Sequence, residues 1–241
     1  MPLPIGHSLM GYTIATSSRF KLSPNVWMNI FIFALLANLP DLDYLPGYLE
    51  GFPNRYHHHE MHSLGFAVLM GLVAGLVYLR VVGKFWACFL PIFFAVSSHL
   101  LLDLLTEDFS DPRGMMLWWP LNSEFYDVSW KIFKSVNKSN HSADFFISLF
   151  TLHNLRVVLI ELMIMLPLAL AVTFTQRKRA AAQVQLQRKH AKTAKRLTVR
   201  QSVKTEQEQG AALTTAQITE MPHIDYQRID LNQPSYRNGK K

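Results

Sequence analysis

Apolar residues along the chain collect in long stretches separated by short polar breaks. Stretches 64–82, 85–105 and 157–175 each approach the ~20 residues that a helix needs to cross a bilayer, the first interrupted only by Arg80 near its end. A fourth, 26–39, is shorter and stops at Pro40, and Leu42, Tyr44 and Leu45 can extend its buried length. The pattern predicts an all-α fold, a multi-pass helical membrane protein with about four spans. Residues 1–19 show no basic segment followed by a long apolar run, so they are read as a short N-terminal helix kept in the mature chain and not as a cleaved signal peptide. From Gln176 onward the chain turns to Gln, Lys, Arg, Ala and Thr, with no aromatic before Tyr226. Such a segment buries too little apolar surface to offset its ordering entropy beyond one surface helix over 177–200. The expected division is a membrane-embedded domain over 1–176 and a basic, largely disordered C-terminal tail over 177–241.

Composition agrees with that division. Of 241 residues, 49% are hydrophobic and 17% are Asp, Glu, Lys or Arg, against roughly 25% charged in an average soluble domain. The net charge of +7 would suggest a nucleic-acid binder were it not so unevenly placed. Residues 1–176 hold 10 Lys and Arg against 12 Asp and Glu, a net −2, whereas residues 177–241 hold 14 against 5, a net +9. The tail has no aromatics among its basic residues, so nucleic acid is not favoured and anionic lipid headgroups are the expected partner. Arg177, Lys178 and Arg179 directly follow the last span, which puts the C-terminus in the cytoplasm; Arg80 and Lys84, and Arg19 and Lys21, fall on the same side. Lys131, Lys134 and Lys138 lie in the opposite loop and weigh against this orientation less heavily. The lone Cys88 excludes an internal disulfide and a thiolate cluster, so any metal is held by nitrogen and oxygen.

Polar residues at the ends of the spans carry the candidate chemistry. Pro40-Asp41-Leu42-Asp43 closes span one; its carboxylates point to opposite sides of a helix and to the same side of an extended segment, and Pro40 predicts a helix break. His57-His58-His59-Glu60-Met61-His62-Ser63 opens span two, and helical spacing would stack His58 and His62. His99 and Asp103, at i and i+4, share one face at the end of span three. Glu161 lies one turn into span four without an opposite charge in its own span, and His7 precedes the first helix. Each has an ordinary reading as a cap, an interfacial cluster or a snorkelling side chain. The topology, however, brings them to one membrane depth, and ionisable groups inside spans are costly. A re-entrant helix over 8–18 would add His7. Histidines with carboxylates suit zinc, with manganese as the alternative, in a site of one or two divalent ions. Trp118, Tyr126 and Trp130 read as an interfacial aromatic belt, and 144–152 as an amphipathic surface segment.

These motifs resemble the YdjM-type inner-membrane metal-dependent hydrolases. His7, Pro40 to Asp43, the segment ending His62-Ser63, the run from His99 through Asp103 to Thr106, and Trp119-Pro120 occur in that family's order, over about residues 1–175. The resemblance implies a metal set of His7, Asp41, Asp43, His57, His62, His99 and Asp103. The family's middle motif runs His-Arg-Gly-x-Thr-His-Ser, so His58 stands where arginine is usual, and Arg55 is the expected substitute for binding an anion. The order of ligands is also distantly similar to zinc-dependent phospholipase C enzymes, which have further ligands for which His141, His153 and Glu161 are candidates.

The expected function is hydrolysis of a phosphoester or lipid-linked substrate at the inner (cytoplasmic) membrane by a metal-activated water, with Asp43 or Glu161 moving the proton. The alternatives are a metal-ion or proton carrier built on the same cluster, and a scaffold in which the metal only staples helices.

Overall fold

The computed structural model describes residues 3–18, 20–110 and 112–219 of the chain. Among these residues seven α-helices follow one another: α1 (Pro4–Ser17), α2 (Val26–Ala37), α3 (Tyr44–Leu49), α4 (Leu64–Val82), α5 (Phe85–Leu104), α6 (Ser142–Leu149) and α7 (Leu152–Thr219). Among the described residues there is no strand, only isolated bridges pairing Thr106 with Phe133 and Met115 with Tyr126. Helices α4, α5 and α7 are long and apolar enough to cross a membrane, and α2 with α3 adds a fourth candidate bent by 55°.

Local signals set these boundaries. Asn25 caps α2 by accepting from the Trp27 and Met28 amides, and Ser63 caps α4 by accepting from Phe66 N. Gly83, at φ +75°, ends α4 in the left-handed conformation that glycine adopts without strain. Pro40 falls in a 3₁₀ turn, Leu39–Asp43, where the helix breaks as Pro40 predicted.

The chain divides into two units, Met1–Ala180 and Ala181–Lys241. In the first, large apolar side chains face outward: Leu69, Val73, Leu76 and Val77 on α4, and Leu155, Leu159, Met163 and Leu170 on α7, are exposed. The buried positions of α4 are Ala67, Gly71 and Gly75. This distribution suits lipid as solvent, where close packing of small residues holds helices together. In the second unit α7 continues past Arg200, where the surface helix was expected to stop, as far as Thr219. Its Ala, Gln, Lys and Arg are good helix formers, and exposed residues there retain their local preference. Residues 220–241 of the predicted tail lie outside the described residues.

Helix α1 lies against α2 and α5. A Cβ on Gly11 would come within 2.5 Å of Phe33 O and 2.8 Å of Ala34 Cα, so only glycine permits this approach. Gly11→Val is expected to destabilise the protein by about 1–3 kcal/mol or more through overpacking. Gly210→Ala, where a Cβ would meet nothing within 4 Å, serves as the comparison in a thermal unfolding experiment and should not lower the midpoint.

Candidate metal centre

The break after α2 builds the first half of the site. Asp41 N bonds to Asn38 O, one residue on from the helical partner Ala37 O, and the Ala37 carbonyl takes a donor from another element. That donor is His99 Nδ1 on α5, 2.8 Å away. A carbonyl only accepts, so His99 carries its proton on Nδ1 and turns a bare Nε2 inward. On the facing side His62 Nδ1 sits 2.8 Å from Asp43 Oδ2, and His62 Nε2 meets His99 Nε2 at 3.1 Å. Two ring nitrogens at that separation need a cation between them, a shared proton or a metal ion.

Asp41 and Asp103 complete the set. His99 Nε2 lies 3.4 Å from Asp41 Oδ1 and 3.3 Å from Asp103 Oδ2; His62 Nε2 lies 3.8 Å and 3.4 Å from the same two atoms. Donors bound at 2.0–2.2 Å to a tetrahedral ion stand roughly 3.3–3.6 Å apart. His62 Nε2, His99 Nε2 and Asp103 Oδ2, at 3.1–3.4 Å from one another, are near that spacing, with Asp41 Oδ1 beside His99. All four oxygens of Asp41 and Asp103 are buried without a hydrogen bond, and an uncompensated buried carboxylate costs several kcal/mol. The residues therefore fit a divalent ion.

His7 joins from α1. Its ring stacks on His99 with centroids 3.7 Å apart, and its Nε2 lies 3.5 Å from Asp103 Oδ1, the oxygen opposite the one that faces His62 and His99. Three groups of mutually close donors result: His62, His99 and Asp103; His7, Asp41 and His99; His57, His58 and His62.

The histidine tract is not helical, as its spacing suggested. It folds as two 3₁₀ turns, Pro53–Tyr56 and Glu60–His62, around His58 at φ +70°. A non-glycine residue held there is strained, by of order 1–3 kcal/mol. The His58 backbone is pinned on both sides, donating to Asp43 Oδ2 and accepting from Met116 N. Its ring spans two carboxylates, with Nε2 3.8 Å from Asp103 Oδ2 and Nδ1 3.6 Å from Asp108 Oδ2. Burial pushes the His57 and His58 rings below the ordinary imidazole range, favouring the neutral form that binds metal. At His62 burial acts the same way but is outweighed by Asp43, Asp103 and Asp41, which hold the ring well above that range.

Asp41 and Asp43 divide the work between them. Asp41 faces the bare Nε2 atoms, whereas Asp43 accepts from His57 Nδ1 at 3.1 Å and from His58 N at 3.2 Å and lies against His62 Nδ1. Of the pair, Asp43 is the orienting group, the role outer carboxylates play around metal-bound histidines. Glu161 is fully buried, and its Oε1 accepts from Leu3 N at 2.8 Å, ahead of α1. It thereby secures the helix that carries His7. His141 and His153 are exposed, the latter bonded to Ser135 O, and Arg55 is exposed and paired with Glu50 at 2.7 Å. None of these three joins the ligand groups.

Three residues enter that the sequence did not single out for the site. Asp108 holds the outer edge of His58 and is itself held by Ser110 N and Gly114 N. Burial raises its carboxyl, but His58 and those amides outweigh it and keep it well below the usual carboxylate range. The Tyr44 ring stacks on His57 at 4.1 Å, and the Lys138 ammonium bonds the Tyr44 hydroxyl. No local pattern marks Asp108 or Lys138, because both reach the site from the long loop after α5. Two cavities flank the cluster. One of about 400 Å³ is polar, with His57, His58, Asp108 and Lys138 in its wall; the other, about 190 Å³, has Leu3, Asp41, Phe145 and Lys138 in its wall.

No curated protein and no solved structure matches the chain. A family profile does, over residues 1–180, which takes in every member of the cluster. The chain therefore belongs to the YdjM inner membrane protein family.

Proposed function

We propose that this protein is a membrane-bound, metal-dependent hydrolase of phosphoester or lipid-linked substrates. The observation that carries the reading is the convergence of His62 Nε2, Asp41 Oδ1 and Asp103 Oδ2 on His99 Nε2, within 3.1–3.4 Å of it, around buried oxygens with no hydrogen bonds of their own. Those four residues would hold a divalent ion, zinc by ligand type, and His7 with the second oxygen of Asp103 offers a place for another. Bound there, the ion would supply Lewis acidity and lower the pKa of water toward neutrality. The chain supplies the proton path: His57 is backed by Asp43 on Nδ1, and its Nε2 is buried without a partner in a ring that lines the polar cavity. That His–Asp pair can take a proton from water and return it to a leaving oxygen. Glu161 Oε1 is occupied at the start of α1, while its Oε2 is buried without a partner.

In this reading the chain spans the membrane four times, and its C-terminus lies in the cytoplasm, where the basic tail meets anionic lipid. The carrier alternative has less support. Along α1 and α5 beneath the cluster, Thr13, Ser17 and Ser98 donate their hydroxyl protons back to Leu9, Thr13 and Ala95 carbonyls of their own helices. Beyond these, Ser97 Oγ, buried without a partner, and the Tyr12–Thr173 hydroxyl pair are too few to favour a path for an ion.

Purified protein is expected to contain bound divalent metal by elemental analysis, and Asp103→Ala and His99→Ala should lose it. Asp43→Asn should keep the fold and weaken metal affinity by about 10–100-fold, the usual effect of losing an orienting carboxylate. Release of product from a panel of lipid phosphoesters should stop in Asp103→Ala. Stoichiometric metal with no product from any member of the panel would end the hydrolase reading, and metal-dependent flux into vesicles without hydrolysis would establish the carrier.

A further inference from the structure

The three donor groups of the cluster form a series. His57, His58 and His62 make the first, His62, His99 and Asp103 the second, and His7, Asp41 and His99 the third, so each shares one histidine with the next. The first borders the polar cavity of about 400 Å³ through His57 and His58, and the wall of that cavity reaches exposed surface at Phe109 and Ser110. Exposure falls along the series, from 8% at His57 and 6% at His58 to 0% at His62, His99 and His7. Asp41 borders the smaller cavity, but both of its oxygens are buried. The polar way from solvent to the second group therefore leads past the histidine tract. The proton path uses His57 and leaves His58 without a task, although His58 is the more elaborately held of the two. Its Nδ1 lies 3.6 Å from Asp108 Oδ2 toward the cavity and its Nε2, buried without a hydrogen bond, lies 3.8 Å from Asp103 Oδ2 within the cluster. A strained backbone at φ +70° keeps the ring between those two carboxylates.

Three imidazoles, each offering a ring nitrogen within 4.8 Å of the others, are a set that zinc accepts with its fourth position left to water. Neutral imidazoles bring no charge to that set, whereas the next one inward includes Asp103, with Asp41 Oδ1 3.4 Å from His99 Nε2. A divalent cation is therefore held more weakly by the first group than by the second, and buried carboxylates draw it inward. A neutral imidazole has one bare nitrogen, so His62 serves one of the two groups at a time. We infer that His57, His58 and His62 form an entry station for the divalent ion, capturing it from the polar cavity beside Asp108 and passing it through His62 to His99, Asp103 and Asp41. The inference rests on the cluster's holding a divalent ion, as the proposed function requires, and is independent of hydrolysis. A residue on an entry route changes the rates of uptake and release together and leaves affinity as it was, whereas a ligand of the resting site changes affinity.

The test uses the full-length protein in lipid nanodiscs, stripped of metal by a chelator and mixed rapidly with Co²⁺, whose visible absorption reports on its ligands. The unmodified protein should show two phases, a first whose rate rises with Co²⁺ concentration and a second independent of it, as His99 and Asp103 replace His57 and His58. His58→Asn removes the ring and keeps a residue that tolerates the left-handed backbone. It should slow uptake, and release into excess chelator, by about tenfold each, and leave the dissociation constant within about twofold. Asp108→Asn should flatten the salt dependence of uptake, the usual effect of removing a charge at a rim. A single phase proportional to Co²⁺ concentration through to completion in the unmodified protein would overturn the inference, whether or not a variant folds. So would a His58→Asn protein with both rates unchanged, or one with weaker affinity at an unchanged uptake rate. Those outcomes leave the buried metal site and the hydrolase reading standing. Two-phase loading without product from lipid phosphoesters sustains the entry station and defeats the hydrolase, and no Co²⁺ bound at equilibrium defeats both.

Discussion

The structure is organised around two carboxylates, Asp41 and Asp103, that are buried without a hydrogen bond between apolar helices. Charges so placed are among the most expensive groups a helical membrane protein can carry, and they are tolerable only if positive charge meets them. Three histidines approach them within 3.8 Å, and a fourth, His7, approaches Asp103 from the other side. Neutral imidazoles cannot balance two carboxylates. Protons held among the imidazoles or a divalent cation can, and the same electrostatic demand that favours one favours the other.

Satisfying that demand shapes the surrounding backbone. The 3₁₀ turn at Leu39–Asp43 is needed twice: it releases the Ala37 carbonyl to hold His99, and it turns Asp41 and Asp43 toward different edges of His62. A continuous helix would have consumed the carbonyl, and an extended segment would have sent both carboxylates to one side. His58 adopts its left-handed conformation because its amide is held by Asp43 and its carbonyl by Met116. Strain there is stored in the service of a ring that touches Asp103 and Asp108.

The apolar body provides rigidity for this arrangement. Gly11 lets α1 lie on α2, Gly71 and Gly75 let α4 lie on the Phe89 and Phe85 rings, and Glu161 closes the start of α1. Van der Waals contact of this kind replaces the hydrophobic effect that lipid cannot supply. His7, His99 and Asp103 are thus fixed by helices, whereas Asp41, Asp43, His57, His58 and His62 lie in turns, and the loop after α5 braces the histidine tract through Asp108 and Met116. That loop also carries Lys138, so the element least regular in structure links the cluster to both cavities.

Much of this was legible in the chain itself. The length of an apolar run is a local property, so α4 and α5 fall within a residue of the stretches that predicted them, and the i to i+4 spacing of His99 and Asp103 placed them on one face. Residue type restricted the ligands to nitrogen and oxygen. The charge placed along the chain separated a basic tail from an almost neutral body. What the sequence could not determine was which atom of each polar residue points where. The different settings of Asp41 and Asp43, the bond from Leu3 N to Glu161 and the approach of Asp108 and Lys138 each depend on contacts between residues far apart in the chain. Hydrophobic pattern constrains elements one at a time, but hydrogen bonds and charge compensation in a buried cluster are satisfied jointly, and only the folded arrangement decides among the ways of doing so.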